Sequence, residues 1–260
     1  MTPEGKGPRP GASTSAFLVF GAYGVIGSGL ARMLSADGHR VAVSGRDRER
    51  LGSLAEELGA LAIPADATDF DEVDAVVRAV VDRFGQIDGV ANCIGSLLRK
   101  PAHLTREREW GDALRTNLTS AFAVVRSAVP PMMEQGHGSL VLISASAASI
   151  GLPNHDATAA AAGGIDALVR SAAATYGRAG IRVNAVAPGL ADPVRMDRIT
   201  RSESPLSSSL AKHAVHGLDR GENVAAAMRW LLSADAPWTT GQTIGVDVDA
   251  RGAPAPRRTP

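Results

Sequence analysis

"AFLVFGAYGVIGSGLARML", Ala16 to Leu34, is an apolar run of five that passes straight into a glycine-rich turn and then into apolar residues at three- and four-residue spacing. Strand, turn and helix follow in that order, with Gly21, Gly24 and Gly27 in the turn. A pyrophosphate needs this geometry. Backbone N–H groups must approach it without Cβ atoms in the way, and the helix N-terminus favours the anion. The same turn also serves as a ligand-free corner between strand and helix, but the strand before it and the helix after it favour the dinucleotide reading.

Outward from that corner the rhythm repeats. Short apolar runs ("RVAVSG", "LAIPA", "IDGVANC", "GSLVLISA", "IRVNAVAP", "QTIGVDV") alternate with amphipathic stretches such as "DEVDAVVRAVVDRFG" and "VAAAMRWLLSAD". With "AFLVF" they make seven strand candidates. Right-handed βαβ crossovers follow, and with them an α/β protein: a Rossmann-like, doubly wound, seven-stranded parallel sheet covered on both faces. At 260 residues and 45% hydrophobic content, the chain can bury this core in a single domain. That domain is expected over residues 16–250, between frayed tails at 1–15 and 251–260 that are rich in Gly, Pro, Ser or Arg.

Composition excludes several classes. Lys+Arg and Asp+Glu are both 27, so nothing points to nucleic acid or an anionic membrane surface. One cysteine, Cys93, allows no disulfide framework; it reads as a small buried residue rather than a nucleophile. "MTPEGKGPRPGASTS" lacks the apolar core of a signal peptide, and no apolar run reaches about 18 residues. The expectation is a cytoplasmic protein with a small-molecule substrate, no membrane or nucleic-acid partner and no metal site.

At the end of the second strand, "VAVSGRD" offers no carboxylate for a ribose 2′-hydroxyl; Gly45 and Arg46 stand there. A guanidinium suits a 2′-phosphate through paired hydrogen bonds, which points to NADP(H) over NAD(H). Arg46 also reads as a solvated helix-start residue. In "PADATD", Asp66 is placed to accept from an adenine amino group, although Asp66 or Asp69 serves equally as a cap for the next helix.

Together these features resemble the short-chain dehydrogenase/reductase family over about residues 16 to 248. The resemblance rests on "GAYGVIG" for the phosphate loop and "ADATD" for the adenine site. It rests also on "GVANCIGS", where the family usually reads Asn-Asn-Ala-Gly, on Asn117 in "RTNLTSAF", on "RVNAVAPG" and on "TTGQTIGVD". It implies a nicotinamide cofactor across the C-terminal strand ends and a homodimer or homotetramer. By position it implies a cofactor site of Gly21, Tyr23, Gly24, Val25, Ile26, Gly27, Arg46, Asp66, Ala67, Asn92, Gly95, Pro188 and Gly189, and a proton-relay water held by Asn117.

The departures from the family pattern concern catalysis. Its reductases use a Ser on strand five and a Tyr-x-x-x-Lys pair on the next helix, where four-residue spacing puts phenol and ammonium on one face and the ammonium depresses the phenol pKa. Aligned on "GLP" and "IDALVRSAA", the Tyr position falls on Thr158, the Lys position on Ala162 and the Ser position on Ala145. No shifted alignment rescues the pair: the residues four beyond Tyr23 and Tyr176 are Gly27 and Gly180, and the lysines are Lys6, Lys100 and Lys212. Phe20 replaces the usual Thr before the first glycine, Val25 replaces a glycine, Pro193 replaces the Thr after Pro-Gly, and "VDVD" replaces Val-Asp-Gly-Gly.

What remains near the expected site is His155, Asp156, Thr158, Ser144, Ser146, Asn117 and Ser96, with Lys100 or His103 from "LLRKPAH" as outliers. The candidate catalytic set is therefore His155, Asn117, Ser144, Ser146 and Thr158. An alkyl hydroxyl such as Thr158 can orient a substrate but cannot replace an activated phenol. Histidine is the side chain that ordinarily titrates near neutrality, and some divergent relatives carry a similar Asn-His-acid stretch. Against this, "PNHD" is a good helix start, with Asn154 as N-cap and Asp156 favoured by the helix dipole. Three functions stay open: a reductase or dehydrogenase whose proton comes from His155 or water; a non-redox enzyme of the same fold, such as a cyclase, dehydratase or isomerase; and a cofactor-binding subunit without chemistry. Residues 196–218, "MDRITRSESPLSSSLAKHAVHGL", are expected to lid the pocket.

Overall fold

The computed structural model describes residues 14–189 and 221–246. Residues 1–13 of the tail expected at 1–15, the lid expected at 196–218, Pro193, residues 247–250 and the C-terminal tail at 251–260 lie outside the described residues.

Each of the seven apolar runs contains a strand, and helices lie in the described stretches between them. In chain order the elements are β1 (Ala16–Phe20), α1 (Val25–Ala36), β2 (Arg40–Gly45), α2 (Arg48–Leu58), β3 (Leu61–Pro64), α3 (Phe70–Phe84) and β4 (Gly89–Asn92). Then come α4 (Glu107–Leu114), α5 (Ser120–Gln135), β5 (Gly138–Ile143), α6 (Ala147–Ile150), α7 (Asp156–Tyr176), β6 (Ile181–Pro188), α8 (Glu222–Leu232) and β7 (Thr243–Val246). The strands form one parallel sheet in the order β3-β2-β1-β4-β5-β6-β7. Strand order reverses between β1 and β4, and at such a switch point a crevice opens beyond the carboxyl ends of the strands.

Two apolar layers hold the helices to the sheet. Leu18, Phe20, Val90, Leu140 and Val183 face α3, α5 and α7, whereas Phe17, Val19, Val43, Val141 and Val186 face α1, α2 and α8. Because both faces are covered, the strands read as continuous apolar runs rather than alternating ones.

Two local features position the site. Between α4 and α5 a single π-helical turn, Arg115–Thr119, bulges and carries Asn117 inward, where it is buried. The helix α7 starts one residue later than the sequence suggests. Asn154, expected as its N-cap, has φ 62° and forms part of the turn; His155 is the N-cap instead, without a side-chain cap bond, and Asp156 opens the helix. The chain reverses between α6 and α7 in a few residues, with Gly151 also at positive φ, and Asn is among the few non-glycine residues that take this left-handed conformation at low cost.

Candidate functional site

The glycine turn after β1 is a cradle that side chains would fill. Gly21 has φ 69°, and a Cβ there would lie 2.9 Å from Ile94 and 3.1 Å from the Cys93 backbone. At Gly27 a Cβ would collide with the Gly21 carbonyl, so the first turn of α1 lies directly against the loop. Gly24 is the N-cap of α1 and has no side chain to cap it, no bond from a side chain to the first-turn amides occurs among the described residues, and no first-turn residue is acidic. By contrast, Asp47 caps α2 and Asp69 caps α3, with Glu49, Asp71 and Glu72 in their first turns. Unlike those two helices, α1 turns uncovered N–H donors and the positive end of its dipole to the crevice. Val25, in the first turn of α1, is half-exposed and backed by Gly221 at the start of α8, where a Cβ would lie 2.9 Å from it.

At the tip of β2 the Tyr23 ring lies across Gly45, and any Cβ at that position would strike it. Arg50 stacks 4.8 Å from the centre of that ring and donates to the Tyr23 carbonyl at 3.1 Å. Arg46 projects with 73% of its side chain exposed, its guanidinium 3.9 Å from Asp66 Oδ2. Asp66 Oδ1 accepts from the Thr68 amide and hydroxyl, both at 2.9 Å, so Asp66 builds a turn while Asp69 caps α3. Ala67, between them, is buried. On the neighbouring strand tip, the Ser44 hydroxyl is buried without a partner among the described residues.

Beyond β4, Asn92 is buried; its Nδ2 donates to Ser120 Oγ at 3.3 Å and its Oδ1 accepts from the Ile94 amide at 3.0 Å. Gly95 packs close under Asn117, where a Cβ would lie 3.4 Å from Oδ1. Burial pushes the Cys93 thiol up to about 12, which leaves no thiolate at neutral pH. At the end of β6, the Pro188 carbonyl accepts from the Ser146 amide and the Gly189 amide donates to Val246, both at 3.1 Å.

The candidate catalytic residues are buried, and most of their polar atoms are committed. Asn117 Oδ1 accepts from the Ser96 amide at 2.8 Å, while its Nδ2 donates to Ser96 Oγ at 2.9 Å and to the Ala113 carbonyl at 2.7 Å. Thr158 Oγ1 accepts from the Leu98 amide at 3.1 Å and donates to the Leu98 carbonyl at 3.3 Å. Ser144 Oγ donates to Asp166 Oδ1 at 2.7 Å, and Thr243 Oγ1 donates to the same oxygen at 3.0 Å. Ser146 stands at the start of α6. His155 is 6% exposed; its Nδ1 lies 2.7 Å from the Pro153 carbonyl and its Nε2 is buried without a partner among the described residues. A carbonyl only accepts, so Nδ1 carries the hydrogen and Nε2 of the neutral ring is a free acceptor.

Of the other residues the sequence offered, one is paired elsewhere and one is exposed, and sequence reading missed a third. Lys100 pairs with Glu109 at 2.7 Å, and that ammonium holds the Glu109 carboxyl below its ordinary range; His103 is exposed on a single 3-10 turn. Asp166 was missed. The signal was there: Thr158, Ala162 and Asp166 follow at four-residue steps on one helix, which puts them on one face.

Among the described residues, no three His, Cys, Asp or Glu side chains converge as a metal site, and no helix is long and apolar enough to cross a membrane. A family model described as enoyl-(acyl carrier protein) reductase matches residues 21–248. The chain is 32% identical over 240 residues to the 3-oxoacyl-(acyl-carrier-protein) reductase FabG of Staphylococcus aureus, covering 90% of this chain and 97% of the relative. Among solved structures it superimposes on a short-chain type dehydrogenase/reductase from Mycobacterium ulcerans with a TM-score of 0.85 at 31% identity, covering 90% of this chain and 88% of the other. It superimposes on a variant of an actinorhodin polyketide ketoreductase, solved with NADPH, with a TM-score of 0.84 at 27% identity, covering 90% and 96%.

Proposed function

The chain belongs to the short-chain dehydrogenase/reductase family, and from that premise we propose an NADP(H)-binding enzyme that acts on a small carbonyl-type substrate with a non-standard active site. The observation that carries this reading is the cradle of Gly21, Gly24 and Gly27 beneath the uncapped start of α1, with the exposed Arg46 beyond it. These residues fit a dinucleotide. The α1 amides take the pyrophosphate, Arg46 takes the 2′-phosphate and Asp66 Oδ2 takes the adenine amino group. Asn92 and Pro188 end β4 and β6, Gly95 and Gly189 lie in the loops that follow, and in this reading the four border the nicotinamide. A bound nicotinamide supplies the hydride. The chain supplies position, exclusion of water and a proton at the substrate oxygen. In this reading Thr158, Ala162 and Ala145 stand where the family's reductases carry Tyr, Lys and Ser, and His155 Nε2 is the group that handles the proton.

The likeness to the actinorhodin ketoreductase solved with NADPH supports the cofactor. A titration followed by cofactor fluorescence tests it. NADPH is expected to bind more tightly than NADH, and Arg46→Ala to weaken NADPH roughly ten- to a hundredfold with NADH unchanged. Equal affinities, tighter NADH, or no loss in Arg46→Ala overturns the assignment.

A second reading is favoured by one contact. Because both hydrogen-bonding sides of the Thr158 hydroxyl are spent on Leu98, the fold also suits a non-redox cyclase, dehydratase or isomerase, or a cofactor-binding subunit without chemistry. Turnover with NADPH separates these from the first reading.

The assembly we propose is a homo-oligomer, dimer or tetramer, in a cytoplasmic setting where the lone Cys93 stays reduced. Phe122 is 48% exposed on α5, beside an apolar groove of about 410 Å³ lined by Phe70, Leu118, Thr119 and Leu168. Phe122→Glu is expected to shift sedimentation to the monomer, because a carboxylate buried between copies would lack a partner. Unchanged sedimentation places the contact elsewhere.

A further inference from the structure

Between β4 and the turn before α4, residues 95–100 have no regular secondary structure. Backbone groups in such a strap must find hydrogen bonds outside a ladder or leave them to water. Here two side chains provide them. Asn117 takes the Ser96 amide and hydroxyl, and Thr158 takes both the amide and the carbonyl of Leu98. Leu97 and Arg99, the residues between and after, point to solvent, while Ser96 and Leu98 turn inward. The strap is thus pinned at alternate residues, once to the π-helical turn and once to the first turn of α7, and Lys100 at its end is paired with Glu109 of α4.

We propose that Thr158 is a positioning residue, a latch that with Asn117 holds residues 96–100 across the start of α7 and makes the strap the wall of the substrate cleft. The side chain at the phenol's place then acts through the loop and not on the substrate. A threonine hydroxyl is suited to this role because it donates and accepts at once, matching one backbone amide and one carbonyl of the same residue. Valine has the same shape and does neither. Only the part about what the strap encloses rests on the functional reading above; the latch itself does not.

The test compares Thr158→Val, Thr158→Ser and Ser96→Ala with the unmodified protein. Two readouts report on the strap beyond the bonded residue: trypsin cleavage of the Arg99–Lys100 bond, followed by mass spectrometry, and hydrogen exchange at the Leu97, Arg99 and Lys100 amides. Thr158→Val is expected to raise both rates roughly ten- to a hundredfold, the effect of losing two hydrogen bonds that oppose local opening. Thr158→Ser is expected to stay within about twofold of the unmodified protein, and Ser96→Ala to fall between. If Thr158→Val keeps the unmodified rates, or Thr158→Ser behaves like it, Thr158 is only a satisfied buried hydroxyl and the latch is wrong. Should Thr158→Val not fold, the unmodified protein still decides: the Ser96 and Leu98 amides must exchange at least tenfold more slowly than Leu97 and Arg99, and equal rates sink the proposal. The NADPH titration is independent of these readouts. Absent cofactor binding with a latched strap removes the functional reading alone, and tight binding with a free strap removes the latch alone.

Discussion

Reduction of ketones and aldehydes by NADPH on this protein is expected to run roughly a hundred- to ten-thousand-fold below an ordinary reductase, the cost of losing a positioned general acid. The ordinary rate is near 10 per second, so turnover of about 0.001 to 0.1 per second is expected across a panel followed at 340 nm. The reason is local. On the α7 face where a phenol and an ammonium would act together stand a hydroxyl already shared with the Leu98 backbone and a buried alanine, Ala162. Loss of the acid does not forbid turnover, because a bound nicotinamide carries the hydride and water can supply a proton. Restoring the family's pair by Thr158→Tyr with Ala162→Lys is expected to recover little of the rate. The new ring would meet the strap at Leu98, and the new ammonium would lie one turn from Asp166, whose carboxylate would draw it off the phenol. Adding Asp166→Asn should release the ammonium and raise the rate further. Unmodified protein that turns over near 10 per second would mean that the acid has been misassigned.

The sheet was legible because burial leaves a periodic record. A strand covered on both faces is apolar at every position, so "AFLVF" and "IRVNAVAP" announce themselves, and glycines at a strand-helix corner announce the cradle. What a side chain bonds across the fold leaves no such record. Thr158 meets Leu98 at 60 residues' separation, Asn117 meets Ser96 at 21, and Arg50 reaches the Tyr23 carbonyl at 27. Periodicity predicts the face of a helix, not the loop laid against it. Asp166 lies between these cases, since its face was readable but its partners, Ser144 and Thr243, come from other elements. Asn154 failed for a third reason: cap preference and turn preference are carried by the same residue types, and the short reversal before α7 used it for the turn.

His155→Ala is expected to lower turnover of the best panel substrate at least a hundredfold, while NADPH affinity stays within about twofold and the melting temperature changes little. One ring nitrogen of His155 is held and the other is not. The ring is fixed by Nδ1 to the Pro153 carbonyl at 2.7 Å, while Nε2 is buried and has no partner among the described residues. Buried polar atoms in native proteins nearly always have partners, and leaving one without costs about 1–3 kcal/mol. A residue kept only to begin α7 has no need of that penalty, because His155 makes no side-chain cap bond there. A ligand hydroxyl or an ordered water that meets Nε2 would remove it, and the same lone pair would then take up or return the proton that Thr158 is in no position to move. Truncation to alanine deletes the orphaned atom along with the bond to Pro153, so the two effects on stability oppose each other. Single-turnover absorbance at high protein concentration gives the rate, thermal melting the stability and fluorescence titration the affinity. His155→Gln, which keeps the bulk and a hydrogen bond but has no ring nitrogen to take a proton, is expected to match His155→Ala in rate. Should either variant keep its rate and lose stability, His155 serves the helix start alone, and the proton must come from water.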